Sequence, residues 1–344
     1  MNKEMKAYVL NGVNDLRYTD VEIPVCSDGW AVVQVKAAGI CSSDIPRIFT
    51  KGTYHFPTIP GHEFSGIVET VGNVEDKLLI GKKVGIFPLI PCRTCVQCKN
   101  KHYEMCEHYD YLGSRRDGGF AEYALVPVWN LIPVSDSIPF TLAAMLEPLS
   151  VALHAMKLGN IQKGQSVCII GTGMIGIAAA QWAYKLGAAE VVIVGRNKAK
   201  QKMVESIGLD YVCSRNALGD RLFDVVLEAV GTPDAIEIAL ESVKPGGVVV
   251  VMGNPAGDIL LRQDVYWRIL RKQLTVRGTW NSFYDGKNRS DWTETVAALE
   301  KNEINVASLI THTFSQEHLA SGLELMNLHK ENYCKVMTIW NDEL

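Results

Sequence analysis

No apolar run in the 344-residue chain reaches 18 residues, about the length a membrane-spanning helix needs, so no membrane partner is expected. An excess of positive charge is also missing. Lys and Arg number 34 against 38 Asp and Glu, a net charge of −4, whereas a nucleic-acid surface needs a basic surplus. No nucleic-acid partner is expected. The opening residues Met1-Asn-Lys-Glu-Met-Lys6 carry charges, but no apolar stretch follows them, as a secretory leader would require. The expected location is therefore cytoplasmic. In such a chain nine cysteines read as metal ligands or free thiols rather than disulfides. A length of 344 residues also exceeds what one core usually supports, so two domains are expected.

The most informative stretch is Val167-Cys-Ile-Ile-Gly171-Thr-Gly173-Met174-Ile175-Gly176-Ile-Ala-Ala-Ala. An apolar run ends in G-x-G-x-x-G and continues into residues suited to a helix. In that order the motif marks a dinucleotide site: the first glycine makes a tight turn, the second lets backbone approach a pyrophosphate, and the third lets helix and strand pack closely. The helix N-terminus adds unpaired N–H groups and the positive end of a dipole. Beyond it strands and helices alternate, as in a parallel doubly wound sheet. Expected strands are Val167–Ile170, Val191–Val194, Phe223–Glu228, Val248–Met252 and Leu274–Val276. Expected helices are Ile177–Leu186, Lys198–Ile207 and Ala235–Val243. The stretch Tyr211–Arg221 is short for a strand and crossover helix, so one connection is trimmed.

The N-terminal part is β-rich. Lys6–Leu10, Trp30–Lys36 and Phe64–Val71 fit half-buried strands, and their loops carry the chemistry. Cys41, His62 and Glu147 lie in three such loops and make a reasonable zinc set, three protein ligands with a fourth position for water or substrate. Each also has an ordinary alternative: a packed thiol, a satisfied turn histidine, an exposed helix acid. Spacing alone does not join them. Closer together, Cys92, Cys95, Cys98 and Cys106 form C-x2-C-x2-C-x7-C. That spacing suits closed coordination by four sulfurs, typical of structural zinc. An iron–sulfur cluster is the competing reading, but no fourth cysteine followed by proline stands at the usual offset. A zinc-ribbon module for nucleic acid is disfavoured, because Lys99 and Lys101 are opposed by Glu104 and Glu107.

Taken in order, Gly39-Ile-Cys41-Ser-Ser43-Asp44, Gly61-His62-Glu63, the cysteine lobe, Glu147-Pro148 and the glycine fingerprint resemble the zinc-dependent medium-chain dehydrogenase/reductase family, the alcohol and polyol dehydrogenases. The likeness spans essentially the whole chain. It implies an α/β protein with a β-rich GroES-like catalytic domain and a Rossmann doubly wound domain. The boundaries expected are 1–152 for the catalytic domain with both zinc sites, 153–290 for the NAD(P)-binding domain, and 291–344 for a segment that returns to the catalytic domain. It further implies two zinc ions per chain, one catalytic on Cys41, His62 and Glu147 with Glu63 beside it, and one structural on Cys92, Cys95, Cys98 and Cys106. Ser43 matches the hydroxyl that passes the substrate proton onward. A homodimer or homotetramer is also implied. Within the family the likeness narrows, through residues 46–49, 109–123 and 269–276, toward enzymes of phosphorylated polyols. Sorbitol- and L-iditol-type polyol dehydrogenases share the core motifs and remain the alternative. A non-catalytic dinucleotide-binding redox sensor is a rival of another class, though it would not need Cys41, His62, Glu147 and Ser43.

Two further expectations come from charge. Arg47, Arg115 and Arg116 supply guanidinium forks, which hold phosphate oxygens bidentately. Their ordinary alternative is pairing with Asp117 and Glu122 or a subunit contact. After the second dinucleotide strand the chain runs Gly195-Arg196-Asn-Lys198 and lacks the carboxylate that NAD-type sites aim at the ribose 2′-hydroxyl. Arg196 and Lys198 could instead pair with a 2′-phosphate, so NADP is favoured over NAD. Val230 and Gly253, at the ends of later strands, are expected beside the nicotinamide, and Trp280 in the substrate site.

Overall fold

In a computed structural model of the chain, the N-terminal alternation of apolar and polar residues becomes a hairpin of β1, Glu4–Gly12, and β2, Asp15–Glu22. The structure describes residues 4–286 and 290–341. The first three of the charged opening residues lie outside them. Among the described residues no helix is long and apolar enough to cross a membrane.

The chain divides into two compact units. The first comprises Met1–Glu147, Phe283–Lys301 and Val306–Leu344. It is built on β3, Trp30–Ile40, whose Val- and Ala-rich run is buried along most of its length. One edge of β3 pairs antiparallel with β4, Glu63–Val71. The other edge is shared: residues 30–34 pair with β8, Tyr123–Pro127, and residues 37–40 pair with β17, Lys335–Ile339. β17 in turn lies parallel to β16, Ile310–Ser315. On the far side β4 continues to β5, Lys83–Ile86, and β9, Leu131–Pro133. A short pair, β6 (Leu89–Ile90) and β7 (Asp110–Tyr111), frames the cysteine lobe. The largest fully buried side chains here include Trp292, Trp340, Phe64, Phe87 and Phe120. Trp292 sits on the helix Asp291–Glu300, which starts with a reciprocal Ser290–Thr293 capping box that satisfies two helix-end N–H groups.

The second unit, Pro148–Ser282 with Asn302–Asn305, carries six parallel strands in the order β12-β11-β10-β13-β14-β15. These are β10, Ser166–Ile170; β11, Glu190–Val194; β12, Asp210–Val212; β13, Phe223–Glu228; β14, Val243–Val251; and β15, Thr275–Gly278. All five side chains of β10 are buried, as expected of a central parallel strand covered on both faces. Helices Met174–Lys185, Lys198–Ser206 and Pro233–Ser242 follow the expected order. The short stretch after β12 holds only the helix Arg215–Leu218, the trimmed connection. β14 starts at Val243, ahead of the expected Val248, with a register irregularity opposite Phe223 and Val225 that takes up Gly246 and Gly247. The first unit is thus β-rich and the second a parallel doubly wound α/β unit, as the resemblance implied.

Candidate metal centres and dinucleotide site

Three strand ends bring the first centre together. The register pairs Gly39 of β3 with Glu63 of β4, and Ile40 of β3 with Val336 of β17. Cys41, just past β3, thereby falls beside His62 and Glu63 at the start of β4 and Lys335 at the start of β17. The Sγ of Cys41, a ring nitrogen of His62 and a carboxylate oxygen of Glu63 all lie within 4.8 Å of one another. Gly39 lies directly under this carboxylate, and a Cβ on it would displace Glu63 Oε2. The Glu63 carboxylate accepts from the fully buried Lys335 ammonium, which also donates to Ile40 O at 3.4 Å.

Asp44, fully buried, holds the loop behind these ligands. Its carboxylate accepts the Cys41 N–H at 3.0 Å and an Arg47 N–H at 3.3 Å, and lies 3.3 Å from His62 Nδ1. Burial works against its charge, but His62 and Arg47 outweigh it and hold the carboxyl below the usual range. Ser43 Oγ donates to Cys41 Sγ at 3.3 Å and accepts from Arg47 at 3.1 Å. Glu147 is also buried, and its carboxylate accepts the Tyr111 hydroxyl at 3.2 Å. Burial first, then the charge of Glu63, pushes Glu147 up to about 7.

The gathered trio therefore contains Glu63 where the sequence expectation had Glu147. Glu63 immediately follows His62 and shares its strand end, whereas Glu147 sits in the first turn of the helix Leu146–Leu158 and is engaged by Tyr111. The donors nonetheless suit zinc. Thiol, imidazole and carboxylate are its usual ligands. His62 Nδ1 faces the Asp44 carboxylate at 3.3 Å, which leaves the other ring nitrogen for a metal.

At the second centre the four sulfurs of Cys92, Cys95, Cys98 and Cys106 also lie within 4.8 Å of one another. Sγ of Cys92 stands 3.9 Å from that of Cys98, and Cys95 Sγ 3.9 Å from that of Cys106. These are too far for disulfides. A tetrahedron with metal–sulfur bonds of 2.3 Å has edges of about 3.8 Å, so the spacing fits one ion rather than a larger cluster. Backbone N–H groups already donate to the sulfurs, Cys92 N to Cys106 at 3.3 Å and Cys95 N to Cys92 at 3.4 Å. With the Thr94 hydroxyl foremost, such donors lower the Cys92 thiol to about 5, whereas burial raises those of Cys98 and Cys106; a metal would hold all four as thiolates.

In the second unit the fingerprint glycines sit where the turn demands them. Gly171 has φ +122°. Gly173 caps the helix Met174–Lys185, with open space where a Cβ would be. Gly176 packs so tightly that a Cβ would collide with Gly171 O. Met174 is buried in the first turn of that helix, and Ile175 lies beside it. Past β11, Gly195 has no room for a side chain: a Cβ would lie 2.7 Å from Tyr211 Oη and collide with Thr172 Cγ2. Arg196 and Lys198 are exposed, and Lys200, which the sequence reading passed over, donates to Thr172 O at 3.3 Å. Val230 is 37% and Trp280 55% exposed. Gly253 lies against the Gly231 backbone.

The three arginines do not assemble. Arg47 alone belongs to the buried cluster. Arg115 stacks on Tyr109 and Tyr54 at 4.4 and 4.2 Å and donates to Tyr109 O. Arg116 pairs with Asp110 and lies over Trp30. Two adjacent arginines in a tight turn thus meet different neighbours. Lys335 went unnoticed in the sequence, because only strand pairing places it beside Cys41.

With this architecture the sequence matches two family models, "Alcohol dehydrogenase GroES-like domain" over residues 27–136 and "Zinc-binding dehydrogenase" over residues 175–301. The chain belongs to the zinc-type medium-chain alcohol and polyol dehydrogenase family, an oxidoreductase family. Galactitol 1-phosphate 5-dehydrogenase of Escherichia coli (strain K12) is 34% identical over 301 residues, 85% of this chain and 87% of that protein. The crystal structure of galactitol-1-phosphate dehydrogenase from Escherichia coli superposes with a TM-score of 0.89 at 33% identity, covering 97% of this chain and 100% of the other. D-xylulose reductase of Scheffersomyces stipitis is 31% identical, covering 94% of this chain and 95% of that protein. A Sinorhizobium meliloti 1021 protein solved with NADP superposes with a TM-score of 0.88 at 26% identity, covering 98% of this chain and 99% of the other.

Proposed function

We propose that this family member is an NAD(P)-dependent dehydrogenase of a phosphorylated polyol, of the galactitol 1-phosphate and tagatose 6-phosphate type, with one zinc ion at each centre. The observation that carries the phosphate is Arg47, a guanidinium held within the cluster by Asp44 and Ser43. When bound, zinc supplies Lewis acidity toward the substrate hydroxyl and the nicotinamide takes or gives the hydride. Cys41 and His62 would hold the metal, with the carboxylates of Glu63 and Glu147 available to complete the set. Asp44 keeps His62, the Cys41 backbone and Arg47 in fixed relation. Ser43 Oγ holds the proton that leaves the substrate. Arg47 presents a permanent cation, which costs little reorganisation on phosphate binding because Asp44 already orients it. Arg115 and Arg116 take no part. NADP is favoured over NAD, supported by the side-chain-free Gly195 and the exposed Arg196 and Lys198.

A second reading has one observation in its favour. The guanidinium of Arg47 is already paired with Asp44, so its role would be structural in an enzyme of unphosphorylated polyols. Initial rates separate the two: tagatose 6-phosphate against tagatose, each with NADPH and NADH, in the native protein and in Arg47→Met. Under the first reading the phosphorylated ketose is strongly preferred, and Arg47→Met removes most of that preference. Equal rates for the two ketoses overturn it in favour of the second. A higher kcat/KM with NADH than with NADPH overturns the cofactor preference.

A further inference from the structure

Glu228, the last residue of β13, is fully buried and among the described residues forms no ion pair. Its carboxylate is met by backbone donors instead. Oε1 accepts the N–H groups of Val230 and Gly231, each at 2.7 Å, and Oε2 accepts that of Gly253 at 3.2 Å. Its backbone carbonyl accepts from Met252 at 2.9 Å. One residue thus ties the turn after β13 to the turn after β14.

Between these turns there is no room for anything but backbone. Gly231 has φ +83°, and a Cβ there would lie 2.7 Å from Asn254 O. A Cβ on Gly253 would collide with Gly231 N. The fingerprint turn joins the same group, since a Cβ on Gly171 would sit 3.1 Å from Val230 Cγ2. A buried carboxylate is costly unless it is hydrogen-bonded, and three N–H donors offset that cost. All three turns lie at the carboxyl ends of strands, where open α/β sheets take their ligands.

We infer that Glu228 is a positioning residue for the dinucleotide. It locks the turns that carry Val230 and Gly253 into one preformed surface, so that ligand binding does not have to order two loops. The inference rests on the dinucleotide reading of the second unit. Glu228 is fully buried and acts through the two turns it binds.

Glu228→Gln tests it, because the amide NH2 that replaces one oxygen cannot accept and leaves a buried N–H group unpaired. Val226→Ala, in the buried core of the same strand, is the control for simple loss of stability. Nucleotide dissociation constants are read from NADPH and NADH fluorescence on the zinc-loaded protein, with KM for the cofactor, thermal midpoint and zinc content alongside. Glu228→Gln is expected to weaken both nucleotides about tenfold or more, the weight of one hydrogen bond to a charged group, and to raise cofactor KM with zinc unchanged. Val226→Ala is expected to lower the midpoint while nucleotide binding holds. Should Glu228→Gln not fold, Glu228→Asp, shorter by one methylene, is expected to give a smaller rise of the same kind. Native affinity in the Glu228 variants, or equal weakening in Val226→Ala, overturns the inference while leaving the dehydrogenase reading intact. A native protein that binds neither nucleotide overturns both.

Discussion

Lys335 and Glu63 stand 272 positions apart and form a buried ion pair. Burial opposes the charge on Lys335, but Glu63 and Cys41 outweigh it and raise its pKa. Lys335→Met would leave the Glu63 carboxylate buried without its cation. Removing one partner of such a pair typically costs about 3–5 kcal/mol. The expected result is a lower thermal midpoint in zinc-free protein, mostly recovered in Lys335→Arg, and an unchanged midpoint would refute it. Gly39 gives a second test. In Gly39→Ala the new methyl meets the Glu63 carboxylate, and the first centre is expected to lose its metal while the cysteine lobe keeps its own. Retention of both ions measured by elemental analysis would show that Glu63 is not needed there. These two residues also mark how far the sequence could be read. Cys41 and His62 stood out because reactive residue types in glycine-flanked loops are a local signal. Lys335 carries no local signal, and its place is set by a register between strands from opposite ends of the chain.

The elements differ in what holds them. The cysteine lobe has only the short helices Val96–Lys99 and Tyr103–Met105, far below the length at which a helix is stable alone. Metal binding is then a large part of its folding energy. It contacts Trp129 of the same unit, which meets Tyr103 edge to face at 5.3 Å and lies under Arg93 at 4.9 Å. Chelation is expected to expose the bonds after Arg93, Lys99 and Lys101 to trypsin and to change Trp129 fluorescence. Cleavage at the same rate with and without metal would argue against this. The four-cysteine spacing was legible because all its ligands fall within one loop, whereas the arginine pair beside it was not, since spacing does not say which neighbour a side chain meets. In the sheet of the second unit, Asp224 ties three strands at their starts, accepting from Ser166 N at 2.8 Å and from Lys244 at 2.8 Å. Burial would raise its pKa, but Lys244 and Ser166 outweigh it and lower it. A carboxyl with a lowered folded pKa stabilises above its unfolded value, about 3.9, and that contribution disappears as pH falls through the folded value. Asp224→Asn is therefore expected to lower the thermal midpoint at pH 7 and to match the native protein at strongly acidic pH. A gap that persists under acid would assign the effect to packing.

At the scale of the whole chain, the two units are unequal in continuity. The second is one segment, Pro148–Ser282, apart from Asn302–Asn305, and its six strands all come from that segment. The glycine fingerprint and the strand–helix alternation were legible for the same reason: every partner in that sheet is near in sequence. The first unit is discontinuous, and its β3 depends on β17 for the edge opposite β4 along residues 37–40. Chain ends and beginnings must meet before its metal site exists, which no local pattern reveals. A chain shortened to end at Leu309 loses β16, β17 and Lys335. It leaves half an edge of β3 with unpaired N–H and C=O groups, a liability for aggregation. That chain is expected to lose the metal of the first centre and to be poorly soluble. The segment 148–282 alone is expected to fold cooperatively and to bind NADPH, since it keeps the fingerprint, Gly195, Glu228 and Gly253. Circular dichroism melting and nucleotide fluorescence on the two fragments check both halves of this claim. A folded, metal-loaded 1–309 chain would mean that β17 and Lys335 do not build the first centre. An unfolded 148–282 fragment would mean that the parallel sheet, though local in sequence, draws its stability from the rest of the chain.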